Sequence, residues 1–420
     1  MQRHTLSQII ADQQKRKRPQ QPFIQREGFQ VGKAIKKDKF IHILSGIRRC
    51  GKSTLLELIR QTQKEQDYYL NFDDDRLIDF QVSDFQKLYE LFIEKFGSQA
   101  HFYFDEIQNV EGWERFVRRL YDEGKKVYIT GSNAHLLSQE LGTRLTGRFT
   151  KSELYPFSFR EYLTYKKIPL KKLGSLSTEE RIKFKIHFSN YLAEGGFPEY
   201  LQTHNEDYLK QLYWSIIYKD IIVRYNLPHD KPLKELSLFL ASNLGKPVSY
   251  NSLKKVIGAG SATTIKEYLE YFENSYLFFQ INKYDFSLKK QIYTPKKVYS
   301  IDTRLAQQIG FRFSEDNGRY MENAVFLELK RRGKTIFYHQ GKYECDFILK
   351  NGLKITEAIQ VCVSLENHET RERELNGIKE AMETYKLNTG LILTDSEEGE
   401  EKIGRKIITI LPIWKWLLQH

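Results

Sequence analysis

The ten residues SGIRRCGKST, Ser45 to Thr54, follow directly on the apolar run Phe40 to Leu44. Gly46, Gly51, Lys52 and Ser53 occupy the fixed places of G-x-x-x-x-G-K-[ST], with Ile47, Arg48, Arg49 and Cys50 between the glycines. Glycines at a strand-to-helix turn let successive backbone N–H groups face inward around phosphate oxygens, and the following helix N-terminus adds partial positive charge. The chemistry expected is nucleoside-triphosphate binding. Lys52 is placed to reach the β and γ phosphates and Ser53 to take one position on Mg2+, while Thr54 packs or caps.

A phosphate loop of this kind needs a carboxylate on a neighbouring strand to hold the metal ion. HFYFDEIQ supplies one, with Asp105 at the end of the apolar run as the metal-holding acid and Glu106 beside it as the base that orients water. Alone, an Asp-Glu pair after a strand is usually a solvated turn; one predicted strand away from a phosphate loop, catalysis is the better reading. The next strand ends YITGSN, which brings the polar tip Ser132 or Asn133 toward the γ-phosphate, because neighbouring strands of a doubly wound sheet present their C-terminal ends to one crevice. Downstream, GTRLTGRF offers Arg144 and Arg148 for a γ-phosphate contact in cis or across a subunit boundary, with a surface ion pair as the competing account for each.

These side chains have to be held by alternating strands and helices. Short apolar runs predict strands at Phe40–Leu44, Tyr68–Phe72, His101–Phe104, Val127–Thr130 and Phe149–Leu154, with helices over Ser53–Gln63, Asp84–Phe96 and Trp113–Glu123. The pattern is that of βαβ units and a parallel sheet. Residues 1–38 are polar and basic, with a weak helical spacing at Leu6, Ile9 and Ile10, and are expected to form a solvated arm. The nucleotide-binding core is assigned to 39–165 and a helical lid to 166–230.

Residues 231–295 carry helical patterns interrupted by the turn GKPVSY and by Gly258-Ala259-Gly260, the order of a winged helix. The helix beginning at Ser261 places Thr263, Thr264 and Lys266 where a recognition helix would meet DNA. The following FFQINKYDFSLKKQIYT is expected to form the strand pair of a wing, with Lys289, Lys290, Lys296 and Lys297 near phosphates. A winged helix used only for packing between domains is the alternative. Residues 296–420 read as a further α/β domain, with Glu322 on a helix, Asp346 at a strand start and Gln360 in AIQVC. Their order is similar to that of a restriction-endonuclease-like core. In that resemblance Gln360 and Cys362 replace the carboxylate and lysine that assist metal-dependent cleavage, so a catalytically degenerate fold kept for binding or assembly is expected.

Composition narrows the classes. At 420 residues the chain implies two to four domains, and 66 Lys and Arg against 54 Asp and Glu give a net charge of +12, compatible with a polyanion partner without requiring one. Cys50, Cys345 and Cys362 lack the spacing of a zinc site or redox pair. The first residues lack the apolar core of a signal peptide and no run approaches a membrane span, so a cytoplasmic location without a membrane partner is expected.

Taken together, GIRRCGKSTLL, YFDEIQ, ITGSNAHLLS, GRF, ELYPFSFREYL, EGGFPEYL and YMENAVFLEL resemble the bacterial and archaeal AAA-type ATPases that carry a large C-terminal domain of unknown function. The resemblance runs from about residue 30 to the C-terminus. It implies a P-loop α/β fold with a helical lid followed by winged-helix and nuclease-like domains, with ATP and Mg2+ as ligands. The expected activity is ATP hydrolysis coupled to work on duplex or branched DNA by a homo-oligomer, of which a hexameric ring is one form. Two alternatives stay open: a nucleotide-dependent switch that recruits a protein partner, and a metal-dependent nuclease gated by ATP.

Overall fold

The run IHILSG becomes strand β1, Ile41–Gly46, buried along its whole length, as a strand covered on both faces of a parallel sheet must be. The computed structural model describes residues 1–15, 23–27, 39–132, 145, 147–171, 173–311 and 317–419. It divides into two units, Met1–Tyr155 with Asn274–Tyr276, and Pro156–Glu273 with Leu277–His420.

The first unit is built on a five-stranded sheet in the order β2-β3-β4-β1-β5, with β2 at Tyr69–Asn71, β3 at His101–Asp105, β4 at Lys126–Gly131 and β5 at Phe149–Leu154. All four pairings are parallel. Helices α2 (Lys52–Gln61), α3 (Phe85–Phe96) and α4 (Trp113–Asp122) are the crossovers, each burying an apolar stripe such as Leu88, Leu91 and Phe92 of α3. Because the strands are parallel, the C-terminal ends of β1, β3 and β4 open on the same edge of the sheet.

The N-terminal segment departs from expectation. Helix α1, Arg3–Lys15, is not solvated along its length: Leu6, Ile9 and Ile10 are buried in the core of the first unit. The Gln13 side chain pairs with edge strand β2, its amide donating to the Asn71 carbonyl at 3.1 Å and accepting the Asn71 N–H at 2.8 Å. A side-chain amide thus satisfies an exposed sheet edge that would otherwise invite strand pairing. Asp74 adds to the attachment, taking bonds from Gln13 at 3.1 Å and from Arg76 at 2.9 and 3.0 Å. Deleting buried methyl groups costs about 2–5 kcal/mol per leucine or isoleucine. Leu6→Ala or Ile10→Ala is therefore expected to lower the urea midpoint of the first unit clearly; an unchanged midpoint would show that α1 adds no packing.

The second unit carries a nine-stranded mixed sheet in the spatial order Gly399–Ile403, Lys406–Pro412, Thr389–Thr394, Lys354–Val361, Glu344–Asn351, Thr335–Gln340, Phe278–Lys283, Lys296–Ser300 and Pro247–Val248. Helices α5 (Phe159–Tyr165), α6 (Thr178–Glu194), α7 (Pro198–Thr203) and α8 (Glu206–Ser215) group with this unit, followed by a π-helical stretch at Ile216–Val223. The first unit ends at Tyr155, and the segment expected as a lid groups with the C-terminal half.

Three helices and three short strands follow: α9 (Lys231–Ser242), β6 (Pro247–Val248), α10 (Tyr250–Ile257), α11 (Ala262–Asn274), β7 (Phe278–Lys283) and β8 (Lys296–Ser300). Strand β8 pairs antiparallel with both β6 and β7. The segment between β7 and β8 differs from expectation, since Leu288–Tyr293 forms a helix, α12, capped by Ser287, in place of a second wing strand. The boundary set at 295/296 separates β7 from β8, which are hydrogen-bonded neighbours, and β7 also pairs parallel with β9. One sheet therefore runs through both expected domains.

After α13 (Thr303–Ile309) and α14 (Asn317–Arg331), strands β9 (Thr335–Gln340), β10 (Glu344–Asn351) and β11 (Lys354–Val361) form an antiparallel meander. Helix α15 (His368–Thr384) then leads to β12 (Thr389–Thr394), parallel to β11. Strands β13 (Gly399–Ile403) and β14 (Lys406–Pro412), and helix α16 (Ile413–Leu417), follow. The sequence of β13, GEEKI, is charged and largely exposed, so it carries no apolar signal.

The glycines of EGGFPEYL have a local reason. A Cβ on Gly195 would lie 2.4 Å from the Asp302 carboxylate and one on Gly196 2.4 Å from the Phe157 carbonyl. Asp302 uses this closeness, accepting the Gly196 N–H at 2.7 Å while capping α13 through the Leu305 N–H at 2.9 Å.

Candidate nucleotide site

The phosphate loop lies between β1 and α2, as its sequence requires. Gly46 is confined by β5, where a Cβ would fall 2.1 Å from the Leu154 carbonyl. Gly51 has φ 103°, which an L side chain rarely adopts, and it precedes α2 without supplying a capping side chain. Ile47 and Cys50 are buried, Arg48 is half-buried, and Arg49, Ser53 and Thr54 are exposed. Burial pushes the Cys50 thiol above its ordinary pKa, so it packs rather than reacts.

Lys52 is almost fully enclosed. Its ammonium donates to the Ile47 carbonyl across the loop at 3.1 Å and lies 3.5 Å from Glu106 Oε1. Burial works against the charge, but Glu106, Cys50 and Asp105 outweigh it and the Lys52 pKa is raised.

Asp105 ends β3 with its carboxylate between two hydroxyls. Ser53 Oγ donates to Asp105 Oδ1 at 3.1 Å, and Thr130 Oγ1 donates to the same oxygen at 2.5 Å. Thr130 also accepts the Glu106 N–H at 2.9 Å, so this side chain from β4 fixes both acids. Burial, followed by the neighbouring Glu106 charge, pushes the Asp105 carboxyl up to about 6. Burial would also raise Glu106, but Lys52 and Arg48 outweigh it and hold Glu106 below the ordinary carboxylate value. Glu106 has φ 52°, a left-handed conformation uncommon outside glycine, and takes a further bond from the Gln108 amide. Strained backbone at a charged turn beside a phosphate loop is a pattern of functional sites.

The remaining expected residues divide. Ser132, just past the end of β4, is buried, and its hydroxyl has no partner among the described residues. Asn133 and Arg144 lie outside the described residues. Arg148 does not approach the loop in cis: it precedes β5, its carbonyl accepts the N–H of Ile41 at the opposite end of β1, and its guanidinium lies 3.6 Å from Asp122. At the strand rise this is about 16 Å from Gly46. The γ-phosphate contact assigned to Arg148 within one chain is thereby corrected.

Three residues near the loop escaped the sequence reading. Thr130 is one. Arg26, buried, donates to the Cys50 carbonyl at 2.9 Å and to the Tyr155 carbonyl, tying the loop backbone to the end of β5. Tyr276, with φ 61°, belongs to the first unit and bonds Ser45 Oγ at 2.9 Å and Glu153 Oε1 at 3.3 Å, immediately before Gly46. Only the bridging hydroxyl carried a signal, as the Thr that precedes GSN; the other two arrive from distant sequence.

Among the described residues no group of three or more His, Cys, Asp and Glu is arranged to hold a metal ion as the side chains stand. The donor set around Asp105 nevertheless fits Mg2+, which keeps most of its ligands as water and substrate phosphate and asks the protein for one or two oxygens. A helix start with no capping side chain, a serine–carboxylate pair and a buried hydroxyl with no described partner are together suited to a triphosphate and its cation.

The other expected residues lie in the second unit. Thr263 and Lys266 are exposed on α11, Thr264 is half-buried with its N–H capped by Ser261, and Lys289 and Lys290 are exposed on α12. Lys296 and Lys297, expected on the wing surface, are buried instead. Lys296 caps the carbonyl end of α12 through Gln291 and Ile292, and burial lowers it to about 8. Glu322, Asp346 and Gln360 do come together, the Asp346 N–H donating to Gln360 Oε1 at 3.2 Å.

Fold and loop together define a P-loop protein of the AAA type, and residues 38–163 match the family described as AAA domain. Residues 185–315 match a family described as a domain of unknown function, DUF8612. The chain is 36% identical over 400 residues to the uncharacterized protein MJ1544 of Methanocaldococcus jannaschii, covering 90% of this chain and 88% of that one, and it belongs to the same family. An uncharacterized protein of Haemophilus influenzae is 33% identical over 406 residues, covering 92% and 96%. Among solved structures, that of the Aeropyrum pernix ORC1 protein in complex with DNA covers 75% of this chain and 91% of that chain at 12% identity, with a TM-score of 0.30, too low to carry an arrangement across. Among the described residues no helix is long and apolar enough to cross a membrane.

Proposed function

We propose that the first unit is a Mg2+-dependent ATPase and that the protein spends this hydrolysis on DNA as a homo-oligomer. The observation that carries the ATPase reading is the continuous set Ser53–Asp105–Thr130–Glu106, from the start of α2 and the C-terminal ends of β3 and β4, beside Lys52. In this reading the loop 46–54 binds the triphosphate and Ser53 and Asp105 hold Mg2+, whose charge neutralises phosphate oxygens when bound. Glu106 accepts the proton of the attacking water, and Lys52 shifts from Glu106 and the Ile47 carbonyl to phosphate. The Ser132 hydroxyl, which has no partner among the described residues, supplies a donor to the γ-phosphate. Arg144, and Arg148 from a neighbouring copy, remain candidates for the arginine that completes the site.

The DNA reading is supported by the net charge of +12, by the order α9-β6-α10-α11-β7-β8 with β8 between β6 and β7, and by exposed Thr263 and Lys266 on α11 with Lys289 and Lys290 on α12. We assign 231–300 as a winged-helix-like segment with a helical wing, continuous in its sheet with a nuclease-like fold over 301–420. Each lysine that meets a phosphate releases roughly one counterion. Lys266→Ala and Lys289→Ala should each weaken duplex binding without sequence preference and reduce the salt slope by about 1. DNA that neither binds in a salt-sensitive manner nor alters turnover would instead favour the nucleotide switch that recruits a protein partner.

A further inference from the structure

The expected nuclease-like cluster contains a lysine, and it comes from β8 rather than from the Cys362 position. Lys297 Nζ lies 2.6 Å from Glu344 Oε1, 2.8 Å from Asp346 Oδ1 and 3.0 Å from Glu322 Oε1, with its side chain 1% exposed. An ammonium has three protons, and here three carboxylates surround it. We propose that Lys297 is the resident cation of this cluster, filling the position between Glu322, Glu344 and Asp346 that a divalent metal would need, so that the second unit works without metal-dependent cleavage.

The surroundings enclose Lys297, Glu322 and Asp346, while Glu344 reaches partly into solvent. Lys297 donates hydrogen bonds to Glu322 and Asp346 and forms an ion pair with Glu344, all at distances well beyond the roughly 2.0–2.1 Å of Mg2+–oxygen contacts. Asp346 Oδ2 is occupied by the Val361 N–H at 2.9 Å, and Glu322 Oε1 also accepts the Tyr299 hydroxyl at 2.7 Å. Gln360, expected as a neutral ligand, is turned away from that role: its carbonyl accepts the Asp346 N–H and its amide donates to Glu374. A turn at Gly245 closes one side, where a Cβ would fall 2.7 Å from Glu322 Oε2. A buried ammonium is stable only with such partners, and three carboxylates bereft of it would demand another cation. Strand alternation explains how adjacent lysines do separate tasks, Lys296 toward the end of α12 and Lys297 toward the acids.

The inference is independent of the nucleotide site and is tested on full-length protein without nucleotide. Ca2+, whose oxygen contacts of about 2.3–2.6 Å suit a widened cage, is titrated by calorimetry into wild type, Lys297→Met and Lys297→Met/Asp346→Asn. Expected are no sub-millimolar binding to wild type, at least about 100-fold tighter binding to Lys297→Met, a Ca2+-dependent rise in its melting temperature, and loss of both in the double variant. Lys297→Gln serves as a second variant. Folded variants that gain no affinity would overturn the proposal. So would Mg2+- or Mn2+-dependent nicking of plasmid by wild type that Asp346→Ala removes. If neither variant folds, the wild-type arm decides: no nicking and no Ca2+-induced stabilisation uphold the resident lysine.

Discussion

Glu106→Gln is expected to reduce ATP turnover by about 100- to 10,000-fold, the range for removing a positioned general base, while nucleotide affinity stays the same or rises. The second half follows from the ion pair. Lys52 lies 3.5 Å from Glu106 Oε1, so a phosphate that recruits Lys52 has to draw it from a carboxylate. A neutral amide holds it less strongly. The backbone at Glu106, with φ 52°, imposes the same demand on Gln as on Glu, so the turn should survive the change. Single-turnover hydrolysis and calorimetric binding on the same preparation separate the two effects. Wild-type turnover in the variant would remove Glu106 from the mechanism.

The second large effect is expected at Lys52. Lys52→Ala removes the ammonium, and two charge-assisted hydrogen bonds at about 1.5 kcal/mol each correspond to roughly 100-fold weaker triphosphate binding. A structural consequence accompanies the loss. Glu106 is held ionised by Lys52 and Arg48 in a buried setting, and without Lys52 its pKa moves upward. The sign is fixed: a depressed folded-state pKa contributes stability above the unfolded carboxylate pKa and loses it as pH falls through the folded value. The variant should therefore lose part of its stability advantage at neutral pH, with a smaller gap to wild type in acid. Melting temperatures across pH 4–8 without nucleotide measure this; a gap that widened toward acid would contradict the assigned pair.

The candidate nucleotide site was readable as a cluster because its signals are local. An apolar run, two glycines and a lysine within a dozen residues specify β1, the loop and the start of α2, and HFYFDE specifies β3 and its two acids. Strand Phe149–Leu154 was also legible from its own residues. What escaped depends on contacts between distant positions. Helix α1 has three buried apolar residues in an otherwise polar segment, and its attachment relies on a glutamine acting as a sheet partner, which no periodicity announces. Tyr276 reaches Ser45 from the far side of the chain, and Arg26 reaches the loop through backbone carbonyls. Lysine content misled in one place: Lys296 and Lys297 looked like wing charges, yet the strand buries both, and the acids that hold Lys297 lie 25 to 49 residues away.

The most direct measurement is calorimetric titration of ATP, with and without Mg2+, into folded full-length protein. Magnesium-dependent binding that Lys52→Ala weakens by about 100-fold is the predicted result. Folded protein with no magnesium-dependent affinity for ATP or GTP would contradict the phosphate-binding role from which every other step proceeds.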